Sequence, residues 1–156
     1  MAENIEITDI IIEGTDGVGK TETIERLKKE LPYYTFHDRN KEVISAKMTK
    51  DTPLKDRAEM YEIFLNAKKN FLTIVLINND GEELLRRVKT RNKPISDFDL
   101  EAPFYNKLYR ETYEYMRDNG MLCGRLKMVD VTGMSMDTQV QEVINAVHLY
   151  ERGGWV

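Results

Sequence analysis

Gly14-Thr15-Asp16-Gly17-Val18-Gly19-Lys20-Thr21 decides the fold, because it fits Gly-x-x-x-x-Gly-Lys-[Ser/Thr] and lies between two segments of different periodicity. On its N-terminal side, residues 6 to 13 carry the apolar triplet Ile10-Ile11-Ile12, the mark of a strand buried on both faces. On its C-terminal side, Ile24, Leu27 and Leu31 recur at helical spacing, Glu25, Lys28, Lys29 and Glu30 cover the opposite face, and Pro32 ends the run. A strand, a glycine-rich loop and a helix N-terminus in that order form an anion site. Gly17 and Gly19 allow a tight turn whose backbone N–H groups converge on phosphate oxygens; Lys20 can reach β and γ phosphates, and the Thr21 hydroxyl can ligate Mg²⁺. The nucleotide-binding candidates are therefore Gly14, Asp16, Gly17, Val18, Gly19, Lys20, Thr21 and Glu22. A glycine-rich turn without a ligand is the competing reading, and the flanking strand and helix weigh against it.

Outward from this unit, strands and helices alternate. Residues 33 to 37, Tyr-Tyr-Thr-Phe-His, are rich in strand formers. Residues 41 to 50 suggest a short helix, and Thr52-Pro53 supplies an N-cap and a first-turn proline for a helix to about Lys69 carrying Leu54, Ala58, Tyr61 and Leu65. Phe71 to Ile77 is near-continuously apolar and reads as the clearest strand. Asp80-Gly-Glu-Glu83 then has capping-box spacing for a helix to Arg91. Residues 92 to 99, with Pro94, read as a mobile loop. A long helix follows from Glu101 to Asp118, stopped by Gly120; Leu126 to Val131 forms a fourth strand, and Ser135 caps a last helix bearing Val140, Val143, Ile144 and Val147. This order implies a parallel sheet covered on both faces.

Composition narrows the class. The 156 residues suit one domain over 1–156, with 41% hydrophobic and 32% charged residues and no run long enough to span a bilayer. A net charge of -4 argues against general nucleic-acid binding, which needs many cations on phosphates. One cysteine, Cys123, cannot form an internal disulfide, and the first residues lack a signal-peptide pattern, so a cytoplasmic protein is expected. The two histidines and one cysteine give no zinc spacing, which leaves oxygen-ligated Mg²⁺ as the expected metal. A homodimer is left open.

At Glu13-Gly-Thr-Asp-Gly-Val-Gly-Lys-Thr21 the chain resembles the thymidylate kinase family within the P-loop nucleoside and nucleotide kinases. His37-Asp38-Arg39 is similar to the Asp-Arg motif of that family, and Leu84-Leu-Arg-Arg-Val-Lys-Thr-Arg91, ahead of a Tyr-rich helix, is similar to its lid segment, here about 86–99. The resemblance implies a three-layer α/β/α P-loop fold, ATP and Mg²⁺ as cofactors, and a small nucleotide or nucleoside as acceptor. Only 18 residues separate Lys20 from Asp38, room for one helix and one strand, so the sheet is expected to have four strands in the order 2-1-3-4.

Each matching residue has a physical reading too. Asp38, at the carboxyl end of a strand, could hold Mg²⁺ beside Thr21 while Arg39 clamps phosphates; a surface ion pair is the alternative. Asp16 would face the acceptor's sugar hydroxyl by resemblance, or stabilise its own turn. Arg87 and Arg91, four apart with Arg86 beside them, share a helix face, either as phosphate ligands or as solvated charge. With Lys20, Asp38 and Arg39, Arg87 and Arg91 make up the candidate catalytic set. Arg57, Tyr61 and Tyr109 join Asp16 and Arg39 as acceptor-binding candidates, with Met48 and Phe64 in the same region; for Tyr109, as for Tyr105, Tyr113 and Tyr115, packing is the competing role. The leading expectation is ATP-dependent phosphorylation of a deoxynucleoside monophosphate, dTMP by resemblance. A deoxynucleoside kinase, a kinase of a modified base in DNA and a P-loop ATPase or nucleotide-binding switch are the alternatives.

Overall fold

The computed structural model describes residues 6–39, 51–91 and 94–155. The helix expected over 41–50, and Met48 with it, lies outside the described residues.

Four strands, β1 (Asp9–Glu13), β2 (Thr35–Asp38), β3 (Phe71–Ile77) and β4 (Leu126–Asp130), form one parallel sheet in the order β2-β1-β3-β4. The register sets Ile12 beside Asp38 on one side and Ile74 on the other, and Ile77 beside Asp130. Helices α1 (Lys20–Glu30), α2 (Leu54–Ala67), α3 (Gly81–Thr90), α4 (Asp97–Leu100), α5 (Ala102–Asp118) and α6 (Met136–Gly153) fill the connections.

Side chains alternate across the sheet, so each strand feeds two cores. Ile10, Ile12, Leu72, Ile74 and Leu76 pack against Ile24 and Leu27 of α1 and Val140, Val143 and Val147 of α6. On the other face, Val75, Ile77 and Leu126 meet Ala58, Tyr61 and Leu65 of α2 and Tyr109 and Met116 of α5. Burial of each large aliphatic side chain contributes roughly 1.5–3 kcal/mol, which favours this double packing over a one-faced sheet. No helix among the described residues is long and apolar enough to cross a membrane.

Several expected boundaries move. Strand β2 includes Asp38 and leaves Tyr33 and Tyr34 in a turn, because the register with β1 begins at Thr35. The N-cap of α2 is Pro53 rather than Thr52, with no side-chain cap bond. The Asp80 cap forms as its spacing predicts, its carboxylate accepting from the Glu83 N–H at 3.1 Å. Within the stretch expected to be loop, α4 forms because Ser96 and Asp99 cap each other: the Asp99 N–H donates to Ser96 Oγ at 3.2 Å and the Ser96 N–H to Asp99 Oδ2 at 2.9 Å.

Candidate active site

The glycine-rich loop leaves the carboxyl end of β1 and turns into α1. That is where ligands sit in open parallel sheets, beside the point at which strand order reverses. Gly17 and Gly19 have φ of 84° and 93°, and a Cβ on Gly17 would lie 2.7 Å from the Leu84 carbonyl oxygen, so neither position takes another residue without strain. Val18 is fully buried in the core and can offer only its backbone to a ligand.

A cleft of about 1190 Å³ opens over this loop. Asp16, Gly17, Gly19, Lys20, Thr21, Glu22, Asp38, Arg39, Arg87 and Arg91 line it, so ten of the expected site residues share one wall-to-wall space. Five do not line it. Gly14 and Val18 lie behind the loop. Tyr61 and Tyr109 are buried below it with their hydroxyls turned to the fully buried Glu13, Tyr61 at 2.9 Å. Arg57 is also buried away from the lining, and its Nε and Nη1 have no acceptor among the described residues. Tyr61, Tyr109 and Arg57 thus stand outside the lining of the cleft.

The Lys20 ammonium donates to the Thr15 carbonyl at 2.9 Å and is 7% exposed. Burial, reinforced by the Arg39 guanidinium, pushes it down from an ordinary 10.5 to about 8, although Asp38, Asp16 and Glu13 pull the other way. Arg39 takes φ of 65°, rare for a side chain of its kind, with its N–H on the Ile12 carbonyl at 3.0 Å and its Nη2 on Asp16 Oδ1 at 2.5 Å. Bending the chain at the end of β2 this way brings its guanidinium to the loop.

The two lid arginines differ. Arg87 donates through Nε to Glu83 Oε1 at 2.8 Å and through Nη1 to the Gly17 carbonyl at 3.4 Å, directly over the phosphate loop. Arg91 is bridged to Asp99 at 2.7 Å. Asp99 is the residue the sequence reading missed. Burial would raise its carboxyl, but the Ser96 N–H and the Arg91 guanidinium hold it below the usual carboxylate range. Asp16 and Asp99 face each other between Arg39 and Arg91, so the end of α3, the glycine-rich loop and the Asp38-Arg39 turn share one charge network.

Thr21 and Asp38 are the residues that could hold Mg²⁺. Both are oxygen donors exposed in the cleft, and Asp38 is close enough to Lys20 to raise its proton affinity. Two protein oxygens with water and substrate phosphates suit Mg²⁺, which seldom takes an all-protein cage. Glu22, at the cleft margin, turns its carboxylate to Arg26 at 3.1 Å.

No protein-family model and no curated protein matches the chain. Among solved structures, a deoxyadenosine kinase from M. mycoides with bound dATP superposes with a TM-score of 0.53 at 16% identity, covering 90% of this chain and 100% of that one. The chain shares the α/β fold of that structure, with a parallel sheet in the order β2-β1-β3-β4. An uncharacterized protein from Eubacterium ventriosum also matches, at 13% identity with a TM-score of 0.46, over 92% of this chain and 99% of that one.

Proposed function

We propose that the protein is an ATP- and Mg²⁺-dependent kinase that transfers a phosphoryl group to a deoxynucleoside monophosphate, dTMP from the motif resemblance. The observation that carries this reading is the meeting in one cleft of the buried Lys20, Arg87 above the loop and the Arg39–Asp16 pair. Lys20 and the loop amides hold the donor's phosphates. Arg87 neutralises charge that spreads over the transferring oxygens, and the cleft walls limit water as a competing acceptor. Thr21 and Asp38 would hold Mg²⁺, which would supply charge neutralisation for the donor's phosphates. Asp16 accepts a hydroxyl of the acceptor sugar, and Arg39 meets the acceptor's phosphate with a planar guanidinium suited to two oxygens.

A second reading, a deoxynucleoside kinase, is favoured by the exposed Asp38 carboxylate, which could take a proton from an attacking hydroxyl. The deoxyadenosine kinase likeness supports it as well. A product screen with ATP, Mg²⁺ and matched nucleosides and monophosphates separates the two. We expect dTMP or another deoxynucleoside monophosphate to become a diphosphate. Phosphate added only to unphosphorylated nucleosides establishes the second reading; ATP consumed without an acceptor makes the protein an ATPase.

A further inference from the structure

Helix α6 buries Val140, Val143, Ala146 and Val147, yet Gln139, on the same buried side, is 0% exposed. A polar group at an apolar position is costly unless its hydrogen bonds are made. Its Nε2 donates to the Val18 carbonyl at 2.9 Å and to Thr23 Oγ1 at 3.0 Å. Because a carbonyl only accepts, Val18 fixes which end of the amide faces the loop. Gln139 Oε1 is buried with no partner among the described residues, so the side chain is retained for its donor end.

The Val18 carbonyl belongs to the peptide that carries the Gly19 N–H. In a planar trans peptide the two point in opposite directions. Pulling the carbonyl back onto α6 therefore turns the Gly19 N–H forward, toward the cleft that Gly19 lines. The next peptide is held in the same sense, its Gly19 carbonyl accepting from the Thr23 N–H at 3.1 Å, whereas the Gly17 carbonyl faces Arg87 at 3.4 Å and the Val18 N–H turns into the loop, toward the Thr15 carbonyl at 3.4 Å. Packing around the loop is close, since a Cβ on Gly19 would lie 2.8 Å from Met136 Cε and 3.0 Å from Gln139 Nε2.

We propose that Gln139 is a positioning residue for phosphate binding, acting from the last helix by holding the Val18–Gly19 peptide with its N–H toward the donor's phosphates. This rests on the phosphate loop binding a nucleoside polyphosphate, as set out above. The ligand class it serves is the di- or triphosphate chain rather than the base or sugar.

The test is Mg²⁺-dependent binding of ATP, ADP and AMP to the full chain by calorimetry, with thermal unfolding as the control for fold. Gln139→Met keeps length and removes the donor. It should weaken ATP and ADP about tenfold or more and leave AMP within about twofold. Gln139→Glu keeps the shape and replaces the donor with a carboxylate; relative to wild type at the same pH, its ADP affinity should be lost at pH 8 and partly return at pH 6, where a buried carboxyl protonates and can donate to Val18. Wild-type affinities from either variant at both pH values, or equal losses for all three nucleotides in a folded variant, overturn the proposal. If the wild type itself binds ATP no better than AMP, it is the phosphate-loop reading that fails.

Discussion

Replacing Lys20 by methionine removes a charge and leaves the stem in place, and the buried ammonium makes the consequence calculable. Its fall from 10.5 to about 8 corresponds to roughly 3 kcal/mol, at about 1.4 kcal/mol per pH unit, as the cost of keeping this cation in the empty cleft. Between about pH 8 and 10.5 the folded chain binds fewer protons here than the unfolded chain. Stability of the native protein from this group therefore rises with pH through that window, and below it the full cost is present. Lys20→Met has no such proton. It should be more stable than the native chain at pH 7, with about 3 kcal/mol as the ceiling, and the gap should narrow by pH 10. Urea denaturation at the two pH values reads this directly, and the comparison cancels groups common to both proteins. Turnover should move the opposite way, with kcat falling by about a hundredfold or more, the scale of one positioned electrostatic donor. The native kcat/KM for ATP should decline above about pH 8, where the free enzyme loses this proton. A stability gap that is the same at pH 7 and pH 10, or a methionine variant less stable at pH 7, would refute the reasoning.

The lid arginines should not be equivalent. Arg87→Ala should lower kcat by about 10³ or more while Arg91→Ala stays within about tenfold, because Arg87 already faces the Gly17 carbonyl whereas Arg91 is bridged to Asp99; a larger loss for Arg91 in steady-state kinetics would show that its bridge opens on binding. Tyr61→Phe and Tyr109→Phe should each cost about 1–3 kcal/mol in urea denaturation, since either change takes a donor from the buried Glu13 carboxylate. Unchanged midpoints in both would show that the carboxylate is satisfied without them.

Most of the fold was legible because its signals are local. The Ile10–Ile12 and Phe71–Ile77 runs could only be strands buried on both faces, and the short interval from Lys20 to Asp38 fixed β2 as the immediate neighbour of β1 in the chain. The loop's chemistry was legible for the same reason, since eight consecutive residues specify it. What escaped depends on residues distant in sequence. Asp99 had a local clue in Ser96-x-x-Asp99, a capping box overlooked beside Pro94, but its meeting with Asp16 across 83 positions had none. Gln139 could have been noticed as a polar break in an apolar stripe, although nothing in the sequence says that its amide reaches Val18. Tyr109 carried an ambiguity between pocket and core, and no local signal showed that its hydroxyl and that of Tyr61 turn to the buried Glu13.

The charge network bears on which acceptor the cleft suits. Arg39 and Arg91 are each paired with an aspartate, and the two aspartates face one another, so this side of the cleft is close to neutral before anything binds. A phosphate dianion entering here competes with Asp16 for Arg39. That exchange is unfavourable if the displaced carboxylate is left buried without a donor, since an orphaned charged acceptor costs more than a neutral one. A ligand that brings an anion alone therefore gains little. One that brings an anion and a hydroxyl donor a few ångströms away satisfies arginine and aspartate together, which is the chemistry of a nucleoside monophosphate. A nucleoside offers the hydroxyl but leaves Arg39 on Asp16, in which case Asp38, exposed and beside Lys20, becomes the group that decides whether transfer proceeds. Arg39→Ala separates these outcomes: it should raise the acceptor KM by tenfold or more for a monophosphate, as expected for a lost charge-assisted pair, and change it little for a nucleoside.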